Sequence, residues 1–299
     1  MSDAWRPGER DPQTSSTTRV RVERYGAPSP RGAGDLVVVE EPLRVHLEHR
    51  GTRHLLGSTM RTPGDDLELA VGMAVGEGIL HDRSGLRTVR PCRDGRGALG
   101  NDVTLLVEDD LDIDLSRLGR VQSPSSACGV CGRDEIEAIV AAAPRLRSAV
   151  RVDPEVLARL PESMCRAQRV FRRTGGLHAA ALATADGRIL AVREDVGRHN
   201  AVDKAVGRAV LEGLHPDVLV VSGRAGFEIV QKAAMAGIPV VASVSAPTSL
   251  SVEVARACGL TLAAFVRDGR MTVYAGTERL ERPDHQPHGD LPAPEVASW

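Results

Sequence analysis

The 299-residue chain carries 38 Lys and Arg against 40 Asp and Glu, a formal charge of −2, with 42% hydrophobic residues. That length suits one large or two modest domains, and the near-neutral balance argues against a general polyanion binder. Aromatic residues are only 2%, so the core must be built from Val, Leu, Ile and Ala, and stacking platforms for nucleic acid are nearly excluded.

No run reaches the ~18–20 apolar residues that a membrane span requires. The longest candidate, 67–80, is broken by Glu68 and Glu77. Residues 1–10 lack the apolar run of a secretory signal, so the expectation is a cytoplasmic protein with no membrane partner. Residues 1–18 and 277–299, rich in polar residues and Pro, read as disordered tails.

Residues 19–122 read as a β-rich N-terminal region with one helix. Strand-like alternation covers 19–25, 36–40, 43–49 and 54–59, with Gly51 placed to turn the last two into a hairpin. Pro63-Gly-Asp-Asp66 then opens a helix running to residue 80, because an acidic first turn complements the helix dipole. Strands follow at 86–90 and 102–107. Residues 123–132 form a mobile loop around a Cys-x-x-Cys pair, and 134–142 and 154–171 read as helices.

Residues 133–276 read as an α/β domain. Strands at 177–183 and 189–193 flank an Asp186-Gly187 hairpin turn. Helices at 200–211, 227–236 and 250–257 then alternate with strands at 218–221, 240–244 and 260–266, and Asp268-Gly269 turns the chain into a strand at 271–274. The expected fold class is therefore α/β, a mixed sheet with helices on both faces preceded by a smaller β-rich region. Ligands in such sheets sit beyond the carboxyl ends of the strands. That rule selects the loops 194–200, 222–226, 245–249 and 267–270.

Five cysteines with a single close pair, Cys128 and Cys131, are no disulfide framework. A thiol near a helix N-terminus has a lowered pKa and a larger thiolate fraction, the form that attacks sulfur. A bare Cys-x-x-Cys still allows a redox dithiol, half of a zinc site, a sulfur-carrying cysteine with a neighbour, or two buried thiols. Zinc lacks a second pair of ligands, so no metal is expected. A nucleobase deaminase would need His-x-Glu ahead of its Cys pair. Here His178 lacks the Glu and follows the pair, so His178 either lines a pocket or is a satisfied strand-edge histidine.

At the strand-to-helix junction, Glu194-Asp-Val-Gly-Arg198-His199-Asn200-Ala-Val-Asp203-Lys204 packs more functional side chains than helix capping explains. Arg198, His199 and Asn200 there suit an anionic or heterocyclic ligand. Ser222-Gly223-Arg224 ahead of a helix aims backbone N–H groups and a guanidinium at an anion. Thr248, in the hydroxyl-rich 245–249 loop, is partly explained as an N-cap. Several anion-binding loops side by side suggest a large phosphorylated ligand.

Taken together, Met60-Arg-Thr-Pro-Gly-Asp-Asp66, Cys128-Gly-Val-Cys131-Gly132, Thr174-Gly-Gly-Leu-His178-Ala, the 194–204 segment, Val221-Ser-Gly-Arg-Ala-Gly226, Ser245-Ala-Pro-Thr248 and Phe265-Val-Arg-Asp-Gly-Arg270 closely resemble the FdhD family, sulfur-carrier proteins needed to make active formate dehydrogenase. The resemblance implies a fold similar to cytidine deaminases and a homodimer. It also implies sulfur transfer from a cysteine desulfurase to the molybdenum bis(guanine dinucleotide) cofactor of formate dehydrogenase or a related molybdoenzyme. By the same resemblance Cys128 carries the persulfide with Cys131 in reach, and Phe265, Val266, Arg267, Asp268, Gly269 and Arg270 form a cofactor-binding segment.

Overall fold

A computed structural model describes residues 16–25, 33–93, 99–113 and 144–281. Cys128, Cys131, the 123–132 loop and the expected 134–142 helix lie outside the described residues, as does most of each expected tail.

Among the described residues the strands form three sheets. β1 (Thr17–Val22) and β2 (Ala33–Val38) make an antiparallel ribbon. The four-stranded sheet has the order β4-β3-β6-β5, built from β3 (Glu41–His49), β4 (Thr52–Arg61), β5 (Leu86–Arg93) and β6 (Leu99–Val107). The six-stranded sheet has the order β12-β11-β10-β9-β7-β8. Its strands are β7 (His178–Ala183), β8 (Ile189–Asp195), β9 (Val218–Val221), β10 (Val240–Ser243), β11 (Thr261–Arg267) and β12 (Arg270–Ala275).

The large sheet is buried on both sides because its central strands β7, β9 and β10 are apolar at nearly every position, as a doubly covered sheet demands. Ala180, Leu182, Leu219, Val221, Val241 and Leu262 enter one core, while Ala179, Ala181, Val218, Val220, Ala242 and Ala263 enter the other. Three helices cover the first face: α4 (Arg198–Glu212), α5 (Phe227–Met235) and α6 (Ser249–Cys258). α2 (Pro154–Ala167) covers the second through Leu157, Leu160 and Met164. The α/β fold class, with a mixed sheet and helices on both faces, is as expected.

α1 (Asp66–Gly76) is the bridge between the two larger sheets. Leu69, Val71 and Val75 share one core with Leu43, Val45 and Leu105 of the four-stranded sheet and with Val202 and Val206 of α4. α1 and α4 cross with their backbones nearly touching, and two glycines make that possible. A Cβ on Gly72 would lie 1.8 Å from the Asp203 carbonyl oxygen, and one on Gly207 would lie 1.8 Å from the Glu68 carbonyl oxygen.

Three boundaries differ from expectation. The first tail cannot extend to 18, because Thr17 and Thr18 already pair with Val38 and Val37. The second begins no earlier than 282. A 3-10 turn at Thr277–Arg279 is followed by Leu280 bridging to Val152, and Arg279 is buried. The expected 154–171 helix stops at Ala167, and a separate turn, α3 (Phe171–Thr174), follows. The Glu194 carboxylate accepts from the Val170 and Phe171 N–H groups at 3.0 and 2.7 Å and so fixes the new start.

Because backbone occupies both positions facing Gly72 and Gly207, neither can accept a side chain by rotamer change. We expect Gly207→Ala to destabilise the protein by ~3 kcal/mol or more in a denaturant melt. A loss within ~0.5 kcal/mol would show that the two helices can separate freely.

Candidate functional site

The topology brings the expected loops to one edge. β9, β10 and β11 run parallel, and β7 is antiparallel to both β8 and β9. The carboxyl ends of β8, β9, β10 and β11 therefore point the same way as the start of β7, where His178 pairs with Asp195. Ser222 extends the ladder: its N–H donates to the Ala179 carbonyl at 3.0 Å, and its Oγ accepts from the Ala179 N–H at 2.9 Å.

Backbone hydrogen bonds stitch neighbouring loops together. The Ala225 N–H donates to the Ala246 carbonyl at 3.1 Å, Ser243 Oγ donates to the Gly223 carbonyl at 2.7 Å, and the Phe265 N–H donates to the Ser245 carbonyl at 3.2 Å. His178, Gly223 and Arg198 converge: a Cβ on Gly223 would lie 3.3 Å from His178 Nδ1 and 3.9 Å from Arg198 Cβ. Phe265 adopts φ 53 at an irregularity in the β11–β12 ladder. This left-handed backbone is costly for a bulky residue and marks a position held by its surroundings. Asp268 (φ 51) and Gly269 (φ 71) then make the tight hairpin turn read from the sequence.

α4, α5 and α6 all begin at this edge. Thr248 caps α6 through a reciprocal box with Ser251, which explains this residue without a ligand. The N-caps of α4 and α5 are Gly197 and Gly226, and neither helix has a side-chain cap. Two helix starts therefore present unsatisfied N–H groups, together with the positive end of the helix dipole, along the edge. Arg224, Arg267 and Arg270 are exposed there. Arg198 is half-buried, and its Nε is enclosed without a hydrogen-bond partner among the described residues. The arrangement can hold several anionic groups at once.

His178 is held below the ordinary histidine pKa by burial first and by the charges of Arg198 and His199 next, with Asp195 opposing. It therefore serves the edge as a neutral imidazole, one nitrogen accepting and the other donating. His199 Nε2 lies 2.6 Å from Glu228 Oε2, and the imidazole lowers the Glu228 pKa against the effect of burial.

Two expected site residues have other work. Asn200 is 5% exposed, and its amide is already engaged. Nδ2 donates to the Met60 carbonyl at 2.8 Å and to Asp195 Oδ1 at 3.0 Å, while Oδ1 accepts from Thr59 Oγ1 at 3.0 Å. With no free hydrogen-bonding atom facing the edge, it joins parts of the fold instead of contacting a ligand. Val266 is fully buried in the core beneath α2, so its side chain faces away from any ligand.

The Asp195 hub carries functional weight that the sequence reading did not assign. Asp195 Oδ2 is 2.8 Å from Lys204 Nζ, and the same lysine donates to the Thr62 carbonyl at 2.8 Å. The Asp195 carboxylate also accepts from the N–H groups of Thr62 and Gly197 at 3.2 and 2.8 Å. Next door, buried Arg61 grips Asp66 with two bonds of 2.8 Å. The clue in the sequence was the density of charged residues in 60–66 and 194–204, more than helix capping explains.

No group of His, Cys, Asp and Glu suited to a metal is present among the described residues. Nor is any described helix long and apolar enough to cross a membrane.

Fold and edge together define the class: an α/β protein whose mixed sheet presents a row of arginine-bearing loops and helix starts at one edge. The chain belongs to the FdhD/NarQ family, whose model matches residues 38–281. It is 47% identical over 271 residues to a Streptomyces coelicolor protein named sulfur carrier protein FdhD, covering 86% of this chain and 92% of the relative. A Thermoplasma volcanium protein of the same name is 43% identical over 274 residues, covering 89% and 96%. The fold is also that of a crystal structure from Desulfotalea psychrophila described as a formate dehydrogenase accessory protein, with a TM-score of 0.66 at 23% identity over 89% of this chain and 98% of that one.

Two outcomes follow from this geometry. Lys204→Met leaves the Asp195 carboxylate buried without its cation, and we expect a loss of ~3–5 kcal/mol in chemical denaturation; a neutral result would contradict the hub. The His178 ring should titrate below 6.5 by nuclear magnetic resonance. A base with a depressed folded-state pKa binds fewer protons than the unfolded chain, so its contribution to stability is present above 6.5 and falls away as the pH drops. A midpoint at or above 6.5 would contradict the burial and charge environment described.

Proposed function

We propose that this chain is a sulfur carrier for molybdoenzyme maturation. It accepts sulfur from a cysteine desulfurase and passes it to the molybdenum bis(guanine dinucleotide) cofactor, the substrate held at the sheet edge, on the way to formate dehydrogenase or a related enzyme. The relatives' shared name supports the sulfur-carrier reading, and the name of the structural neighbour supports the link to formate dehydrogenase. The single observation that carries the cofactor assignment is the row formed by Arg198, Arg224, Arg267 and Arg270 beside two uncapped helix starts. Two pyrophosphates and two guanines need that many separated cationic and N–H donors.

The chemistry falls to Cys128. Its thiolate attacks the terminal sulfur of the desulfurase persulfide. A new S–S bond forms on Cys128, the old one breaks, and the desulfurase cysteine leaves as thiolate. Cys131 then attacks the inner sulfur of the Cys128 persulfide. This releases hydrosulfide toward the bound substrate and leaves a Cys128–Cys131 disulfide, which a dithiol reductant resets. Arg198, Arg224 and the 267–270 turn hold the phosphates, and neutral His178 offers a donor and an acceptor without adding charge. The protein acts in the cytoplasm as a homodimer.

Mass spectrometry tests the reading. Incubation with a desulfurase and cysteine should add a sulfur atom to Cys128, and Cys128→Ala should abolish both that addition and active formate dehydrogenase in a cell lacking its own copy. Wild-type protein that gains no sulfur, or full enzyme activity with Cys128→Ala, would replace the carrier with a binding chaperone for the same cofactor.

A further inference from the structure

One charged surface lies outside the edge and has no part in holding a ligand there. Arg169, Arg172 and Arg173 are all exposed, within and just before the short turn α3. Among the described residues none of the three has an ion-pair partner, unlike the buried or half-buried Arg61, Arg193 and Arg208. Glu194 spends both carboxylate oxygens on the Val170 and Phe171 N–H groups, so it stiffens the turn while facing its backbone. Phe171, between the arginines, is 37% exposed, and large exposed apolar side chains are few here.

The β1–β2 ribbon enlarges this surface. Val38 packs against Gly176, just past α3. In the antiparallel register Thr17 faces Val38, Arg19 faces Leu36 and Arg21 faces Gly34, so Arg19 and Arg21 lie on the same face of the ribbon as Val38. Both arginines are exposed. Arg169, Arg172 and Arg173 thus flank one half-exposed phenyl ring, and Arg19 and Arg21 add two exposed guanidiniums on the ribbon face that carries Val38, on a chain whose net charge is −2. A local field of that sign on a near-neutral protein steers an oppositely charged surface and aligns it. A charged rim around an aromatic anchor is the composition of a protein-docking site, and a lone ring gives no platform for a nucleic acid strand.

Its position gives the surface a purpose. Gly175 and Gly176 carry the chain from α3 to Leu177 and then to His178, so the surface adjoins the sheet edge. We propose that Arg19, Arg21, Arg169, Phe171, Arg172 and Arg173 form the docking surface for an acidic face of the sulfur-donating enzyme. This rests on the sulfur-carrier reading.

The test compares two donors on the full chain. The wild type and the triple variant Arg169→Glu, Arg172→Glu, Arg173→Glu are loaded from a cysteine desulfurase at low ionic strength, and separately from a small-molecule persulfide that needs no docking. The expected result is loading from the desulfurase slower by on the order of tenfold or more in the variant, with unchanged loading from the small persulfide. The wild-type rate from the desulfurase should also fall as salt rises. Equal rates from the desulfurase in both proteins would overturn the docking proposal while leaving Cys128 loading intact. The same holds for normal loading accompanied by lost binding to the molybdoenzyme, which would assign the surface to the acceptor. Absence of loading from either donor in the wild type would instead overturn the sulfur-carrier reading. These side chains are exposed, so circular dichroism should show the variant folded.

Discussion

The Asp195 carboxylate, fully buried, accepts from Lys204 Nζ, from Asn200 Nδ2 and from the backbone N–H groups of Thr62 and Gly197. A charge placed this deep costs several kcal/mol unless its lone pairs are filled, and here four donors fill them. The donors come from three places: the end of β4, the turn after β8 and the first turns of α4. The carboxylate thus pins the four-stranded sheet to the loop-bearing edge of the six-stranded one. It thereby helps to fix the start of α4, next to Arg198.

The glycine crossing of α1 and α4 serves the same end from the other side. Close backbone approach lets Glu68 on α1 reach Arg193 on β8 at 2.5 and 2.8 Å and Arg208 on α4 at 3.3 Å. Farther along, Lys232 of α5 reaches Asp203 of α4 at 2.6 Å. Each link is a buried or half-buried ion pair between neighbouring elements, so the helices that begin at the edge are oriented by charge as well as by apolar packing. Their glycine N-caps then leave N–H groups unsatisfied at the surface where the exposed arginines gather. The helices are thus held stiffly behind while their starts stay unfilled in front.

Much of this was readable from residues alone. The alternation of strands and helices after 177, the Asp186-Gly187 and Asp268-Gly269 turns, and the four loops at one sheet edge all depend on local pattern, which survives folding unchanged. What escaped was tertiary. Asn200 has the side chain of a ligand contact, and only the position of Met60 and Thr59 across the fold reveals that its amide is engaged. Val266 falls within a binding-like stretch, yet the irregularity at Phe265 breaks the strand's alternation and turns it into the core beneath α2. Gly72 and Gly207 resemble ordinary helix glycines until two helices are seen to touch. The break after Ala167 needed Glu194, more than twenty residues along the chain, to cap a second turn.

A crystal structure of the full chain with guanosine diphosphate most directly tests the central claim, that the sheet edge is built for a guanine dinucleotide. The account predicts the pyrophosphate in hydrogen-bond contact with Arg198 and with at least one guanidinium of Arg224, Arg267 or Arg270, close to the first turn of α4 or α5. A nucleotide seated on the four-stranded sheet or at the opposite end of the large one, with the edge empty, would contradict it.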